Sequence, residues 1–236
     1  MHLSPPKIDL AIDDGAVLEL GEGRLSVVPI DERLTHRALT TAERSAHAAL
    51  AERRQRTWLA GRVALRQALG AVGAPTEVDL LPDDRGAPRV PQGFAGSIAH
   101  KDDVAVAFAR PHDGSDVGVD VEHDEPLRVD ISRKIMTDEE LARVAAWSTH
   151  ERARAVRVTF AVKEAIYKAI DPVCRRYVAF TEVELDFVSS DGGVALVKPR
   201  LDPEAIVGPP TIAAAWGTLA LASRRFILAF ATARWP

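Results

Sequence analysis

The sequence predicts an α+β protein built of two units in tandem. Apolar content of 47% and charged content of 27% over 236 residues are those of a folded globular chain, long enough for one large domain or two small ones. The pattern along the chain reads strands, helix, strands, and then strand, helices, strands. Between the two runs, residues 111–115 are polar and contain proline and glycine, which sets the units at residues 1–114 and 115–236. No evident residue-level repeat relates them.

Each element has a local reason. In residues 8–30, short apolar runs broken by Asp13-Asp14-Gly15 and Gly21-Glu22-Gly23 predict a hairpin. Thr40 with Glu43 forms a capping box, and the Ala-, Leu-, Arg- and Glu-rich stretch beyond it predicts a helix, continuous or interrupted, to Gly70 or Gly73, with Pro75 just past its end. Residues 78–91 predict a short strand and a loop at Pro82 to Pro88. Two strands follow around a turn at Lys101-Asp102, and a third over residues 117–122. Thr137 with Glu140 is a second capping box, opening a helix to about Trp147. A longer helix spans residues 151–170 and stops before Pro172. A hairpin at 183–198 and two closing strands at 211–222 and 225–233 complete the chain.

Charge and cysteine count narrow the function. The net charge is -4 and the pI about 6.0, so no global field draws nucleic acid or a membrane surface. The single cysteine, Cys174, excludes internal disulfides and thiolate-rich zinc sites and fits a reducing compartment. The N-terminus shows no secretory signal, and the longest uncharged apolar stretch, residues 211–223, is too short to span a bilayer. A soluble cytoplasmic monomer is expected. Arg53, Arg54, Arg56, Arg62 and Arg66 nevertheless crowd one segment, a candidate anion site.

Two acidic motifs carry the chemistry. In Gly118-Val119-Asp120-Val121-Glu122, strand alternation puts Asp120 and Glu122 on one face and the valines on the other. In the helix, Val158, Val162, Ala165, Ile166 and Ala169 share an apolar face, while Phe160, Glu164, Tyr167 and Lys168 lie opposite with Lys163 at the edge. Each motif also has a bland reading. Glu164 and Lys168 fit an i,i+4 surface pair worth about 0.2–0.5 kcal/mol, and Asp120 and Glu122 fit an edge strand facing water. Against that, Phe160 and Tyr167 imply that the Glu164 face is covered, and a covered carboxylate needs partners. Three carboxylates and two lysines together suit a divalent cation beside phosphates, the Mg²⁺ pattern.

These motifs resemble the signature of the 4'-phosphopantetheinyl transferase superfamily, of the surfactin/enterobactin synthetase-activating type. The second reads Phe160-Ala161-Val162-Lys163-Glu164-Ala165-Ile166-Tyr167-Lys168-Ala169, and upstream pieces appear in the family's order: Ala60-Gly61-Arg62, Arg85-Gly86-Ala87-Pro88 and Gly96-Ser97-Ile98-Ala99-His100. The resemblance implies two similar α/β halves in pseudo-twofold arrangement. It implies transfer of the 4'-phosphopantetheine arm of coenzyme A to a serine of an apo acyl or peptidyl carrier protein, releasing adenosine 3',5'-bisphosphate. It implies Mg²⁺ held by Asp120, Glu122 and Glu164, with Glu164 as general base and Lys168 at the leaving diphosphate. Arg53, Arg56, Arg62, Arg85, His100 and Lys163 would bind the coenzyme. Ala99 stands where the family usually has Ser or Thr, and Ser97 on the same strand face or Lys101 would reach phosphate in its place. Arg152, Arg154 and Arg157 would meet an acidic carrier. Two other functions share parts of this pattern: a Mg²⁺-dependent nucleotide phosphodiesterase and a silent coenzyme A or carrier-protein binder.

Overall fold

The computed structural model describes residues 8–125, 129–187, 193–199, 208 and 210–236. Among the described residues, ten strands form two antiparallel-dominated sheets, and five helices include one long helix over the outer face of each sheet. The first sheet has the order β2 (Ala16–Leu20), β3 (Gly23–Pro29), β5 (Val104–Pro111), β4 (Phe94–His100). The second has the order β6 (Ser115–His123), β10 (Arg224–Arg234), β9 (Thr211–Leu221), β8 (Gly193–Pro199), β7 (Val183–Phe187).

Alternation along the strands builds four layers. Leu25, Val27, Val104, Val106 and Phe108 of the first sheet share one core with Val117, Val119, Val121, Leu219, Phe226 and Leu228 of the second. The opposite face of the first sheet, through Ala105, Ala107 and Ala109, meets Ala60, Ala64, Leu65 and Ala68 of α2 (Glu52–Ala71). The opposite face of the second, through Ile227, Ala229 and Ala231, meets Val158, Val162, Ala165 and Ile166 of α5 (Thr149–Cys174). Gly118 makes the last contact close: a Cβ there would stand 1.8 Å from the carbonyl oxygen of Ala165.

Several expectations are corrected. The hairpin expected within residues 8–30 is formed by β2 and β3, while β1 (Ile8–Ile12) pairs in parallel with β9, so this strand belongs to the second sheet and the boundary at residue 114 does not divide the sheets cleanly. Ile8, Leu10 and Ile12 fill the shared core, which rewards that crossing. Residues 78–91 form no strand, only a bridge between Pro82 and Pro88. The arginine-rich helix is interrupted: α1 (Thr41–Ala48) ends before α2 begins at Glu52. The second capping box opens a short α4 (Asp138–Val144), preceded by a single turn, α3 (Ser132–Ile135). α5 runs through Pro172, which sits in its last turn, and ends where Arg175 turns left-handed at φ 46°. A proline there removes only one terminal hydrogen bond.

Candidate active site

β4 and β6 are the edge strands at which the two sheets meet, and their C-terminal ends lie together. The Val119 N–H donates to Ser97 Oγ across this seam at 3.1 Å, and further along Lys101 is ion-paired with Glu122. Asp120 and Glu122, on the α5 face of β6, are buried. Lys168 Nζ of α5 donates to Asp120 Oδ1 at 2.7 Å and to the Val119 carbonyl at 2.9 Å. Arg157 Nη1 lies 3.1 Å from Glu122 Oε2, and its Nη2 donates to the Glu125 carbonyl. The second oxygen of Asp120, Oδ2, is buried without a hydrogen-bond partner.

Glu164 faces the same point. Burial raises its carboxyl above the ordinary value, and the negative charges of Asp120 and Glu122 add to the rise against Lys168 and Lys101. Asp120 is likewise raised by burial, opposed by Lys168. On the other side of the seam, His100 ends β4. Desolvation and then the charges of Lys168, Arg54 and Lys101 push its imidazole below the usual value. Carboxylates from β6 and α5 therefore face cations from β4, the turn after it, and the first turn of α2. Among the described residues, no three His, Cys, Asp or Glu side chains are arranged to hold a metal ion. Ammonium and guanidinium groups hold Asp120 and Glu122 instead.

Five of the expected ligands are engaged by other groups of the protein. Lys163 Nζ is buried, bound to Glu140 at 2.7 Å and to the Ile135 carbonyl at 2.8 Å. Ser97 is buried at the sheet seam, and Ala99 beside it faces the shared core, so the residue before His100 does not point at the site. Arg62 is buried, donates to the Leu80 carbonyl and lies 4.3 Å from the Trp58 ring centroid; burial brings its pKa down to about 10. Arg66, less firmly expected, is spent on Glu43. Arg85 reaches across the units to Asp171, with Nε at 2.9 Å and Nη2 at 2.5 Å, and to the Tyr167 hydroxyl at 3.1 Å. Arg53 and Arg56 remain exposed on α2. Of the three arginines expected to meet a carrier, Arg154 pairs with Asp124 and Arg157 with Glu122, leaving Arg152 outward. Arg54 is expected only as a member of the arginine run and Arg157 only as a carrier contact; the structure sets Arg54 near His100 and Arg157 on Glu122, a partner 35 residues away in the chain.

Carboxylates facing ammonium and guanidinium groups where the two sheets meet are the kinds of group that phosphate-handling enzymes use. Comparison with known proteins narrows this. The 4'-phosphopantetheinyl transferase N-terminal domain matches residues 42–110 and the 4'-phosphopantetheinyl transferase superfamily matches residues 116–206. The chain is 32% identical to the 4'-phosphopantetheinyl transferase Svp of Streptomyces mobaraensis over 72% of its own length and 70% of the relative's. It is 32% identical to Npt of Nocardia iowensis over 60% and 63%, and 27% identical to PptT of Mycobacterium tuberculosis over 67% and 70%, both of them also 4'-phosphopantetheinyl transferases. The chain belongs to the 4'-phosphopantetheinyl transferase superfamily.

Proposed function

We propose that the β4–β6 edge is the centre at which this protein moves the 4'-phosphopantetheine arm of coenzyme A to the serine of an apo acyl or peptidyl carrier protein. Two units in one chain support the surfactin/enterobactin type. The single observation that carries the reading is the meeting of Asp120, Glu122, Glu164 and Lys168 with His100, Lys101 and Arg54 at one edge.

The donor set fits Mg²⁺: carboxylate oxygens only, one of them, Asp120 Oδ2, buried without a partner. Asp120, Glu122 and Glu164 would hold it, and when bound it supplies charge neutralisation and Lewis acidity at the diphosphate. The chain's own groups do the rest. Glu164 accepts the proton of the carrier serine hydroxyl as that oxygen attacks phosphorus. Lys168 steadies charge growing on the bridging oxygen of the leaving group. His100, with Arg54, Arg53 and Arg56 on α2, faces the 3'-phosphate and adenine end of the coenzyme. Arg85 has a different part: bound to Asp171 and Tyr167, it holds the loop before β4 against the helix that carries Glu164.

The test is mass analysis. Incubation with coenzyme A, Mg²⁺ and an apo carrier protein should add one phosphopantetheine arm to the carrier. An unmodified carrier across a panel of acyl and peptidyl types would refute the reading. Release of nucleotide without carrier would favour a phosphodiesterase.

A further inference from the structure

The cation nearest Glu122 comes from outside the signature motifs. Lys101 lies in the turn between β4 and β5, one residue past His100, and its ammonium is ion-paired with Glu122 Oε1. Its side chain is 31% exposed where that of Glu122 is 5% exposed, so the lysine reaches in from the rim. Arg157 holds the other oxygen of the same carboxylate. Glu122 is thus neutralised twice, while Asp120 keeps one buried oxygen bare. The charge of Lys101 is felt by Asp120, Glu164 and His100 alike. It stands between the carboxylates and the cationic wall.

A lysine on a flexible four-carbon stem can leave one anion for another at small cost, whereas Arg157, gripping two acceptors, is fixed. A divalent cation on one carboxylate oxygen repels an ammonium held at the same oxygen and weakens its hold. We propose that Lys101 is an exchangeable counter-ion: it occupies Glu122 in the metal-free protein and, when metal takes that oxygen, swings to the phosphates of coenzyme A. Lys101 is then a residue with opposite effects on two ligands, opposing the metal and aiding the coenzyme. The inference rests on the reading of this edge as the metal and coenzyme site.

The test compares wild type with Lys101→Met and Lys101→Arg. Mn²⁺ binding is followed by electron paramagnetic resonance, and coenzyme A binding by calorimetry in the presence of Mg²⁺. Lys101→Met should bind Mn²⁺ roughly three- to tenfold more tightly and coenzyme A weaker by a similar factor, because one positive charge is gone from both. Lys101→Arg should return the coenzyme affinity toward wild type. A merely structural lysine would move both affinities the same way or neither, and either result overturns the proposal. If wild type itself binds neither Mn²⁺ nor coenzyme A, the underlying reading of the site fails. Circular dichroism separates these outcomes from misfolding, and Arg157 keeps Glu122 paired in the variants.

Discussion

The two halves of the molecule use one scaffold and differ in what they hang on it. In each, a strand leads through a long helix to a hairpin whose second strand returns to pair with the first: β3, α2, β4, β5 and β6, α5, β9, β10. The likeness extends to residues. Glu43 and Glu140 close capping boxes with Thr40 and Thr137. Each also binds a cation 23 residues on, in the long helix, Arg66 in one half and Lys163 in the other. Each accepts a further backbone N–H from a leucine beyond that helix, Leu80 and Leu185. The next residue in each helix then diverges. Gln67 accepts a hydrogen bond from Ser26 of β3, a neutral pair; Glu164 faces Asp120 and Glu122 of β6. In one half this position is a neutral hydrogen-bonded pair. In the other it adds a third carboxylate beside Asp120 and Glu122, and the first half supplies Arg54, His100 and Lys101 around them.

The sharpest break in the comparison is Glu164→Gln, which gives the second helix the residue the first one has. Transfer to an apo carrier, read by intact mass, should fall by about 10²–10⁴-fold, with the melting curve unmoved or raised. A variant that still modifies the carrier at the wild-type rate would remove Glu164 from the chemistry.

Next come the two buried anchors. Lys163→Met leaves the buried Glu140 without its cation, held by the backbone N–H groups of Thr137 and Leu185, a loss of about 3–5 kcal/mol. Arg66→Met should cost less, because the Arg66 side chain is 13% exposed against 1% for Lys163, so that truncating it opens the otherwise fully buried Glu43 toward solvent. Urea denaturation of both variants measures the difference, and an Arg66 variant as unstable as the Lys163 one would show the anchors to be equivalent.

A smaller effect is expected at the tie between halves. Arg85→Ala releases Asp171 and Tyr167 and should lower the unfolding midpoint while raising KM for coenzyme A more than it changes kcat, since the loop before β4 loses its hold on α5. A fall in kcat alone would mean that Arg85 touches the reacting phosphates.

The smallest is a pH effect. His100 is depressed in the folded state, so its contribution is fully present above the ordinary value of 6.5 and is lost as pH falls through the lowered value. Thermal melts of wild type and His100→Gln from pH 7.5 to 5 should converge on acidification, with wild type losing more. Parallel curves would show that the imidazole is not desolvated.

Much of this was legible from local pattern. Both capping boxes, the apolar stripe of Val158, Val162, Ala165, Ile166 and Ala169, and the inward Val119 and Val121 follow from periods of 3.6 and 2 that a reader can count. The position of Lys163 was not. At the edge of the polar face it reads as a site residue, and only the packing of α3 and α4 over that edge buries it against Glu140. Ser97 likewise sits in a motif that suggests phosphate, yet the neighbouring sheet claims its hydroxyl.

The sequence by itself determined the α+β class, the sites of the helix caps, and the placing of Asp120 with Glu122 on one strand face and of Glu164 with Lys168 on one helix face, because each depends on residues a few positions apart. Only the tertiary structure decided that β1 crosses to the second sheet, that Glu43 and Glu140 are twin anchors, and that Lys101 and Arg157 claim Glu122. Those outcomes are competitions for buried partners among groups distant in the chain. Desolvation and reach settle them, and neither quantity exists until the layers have packed.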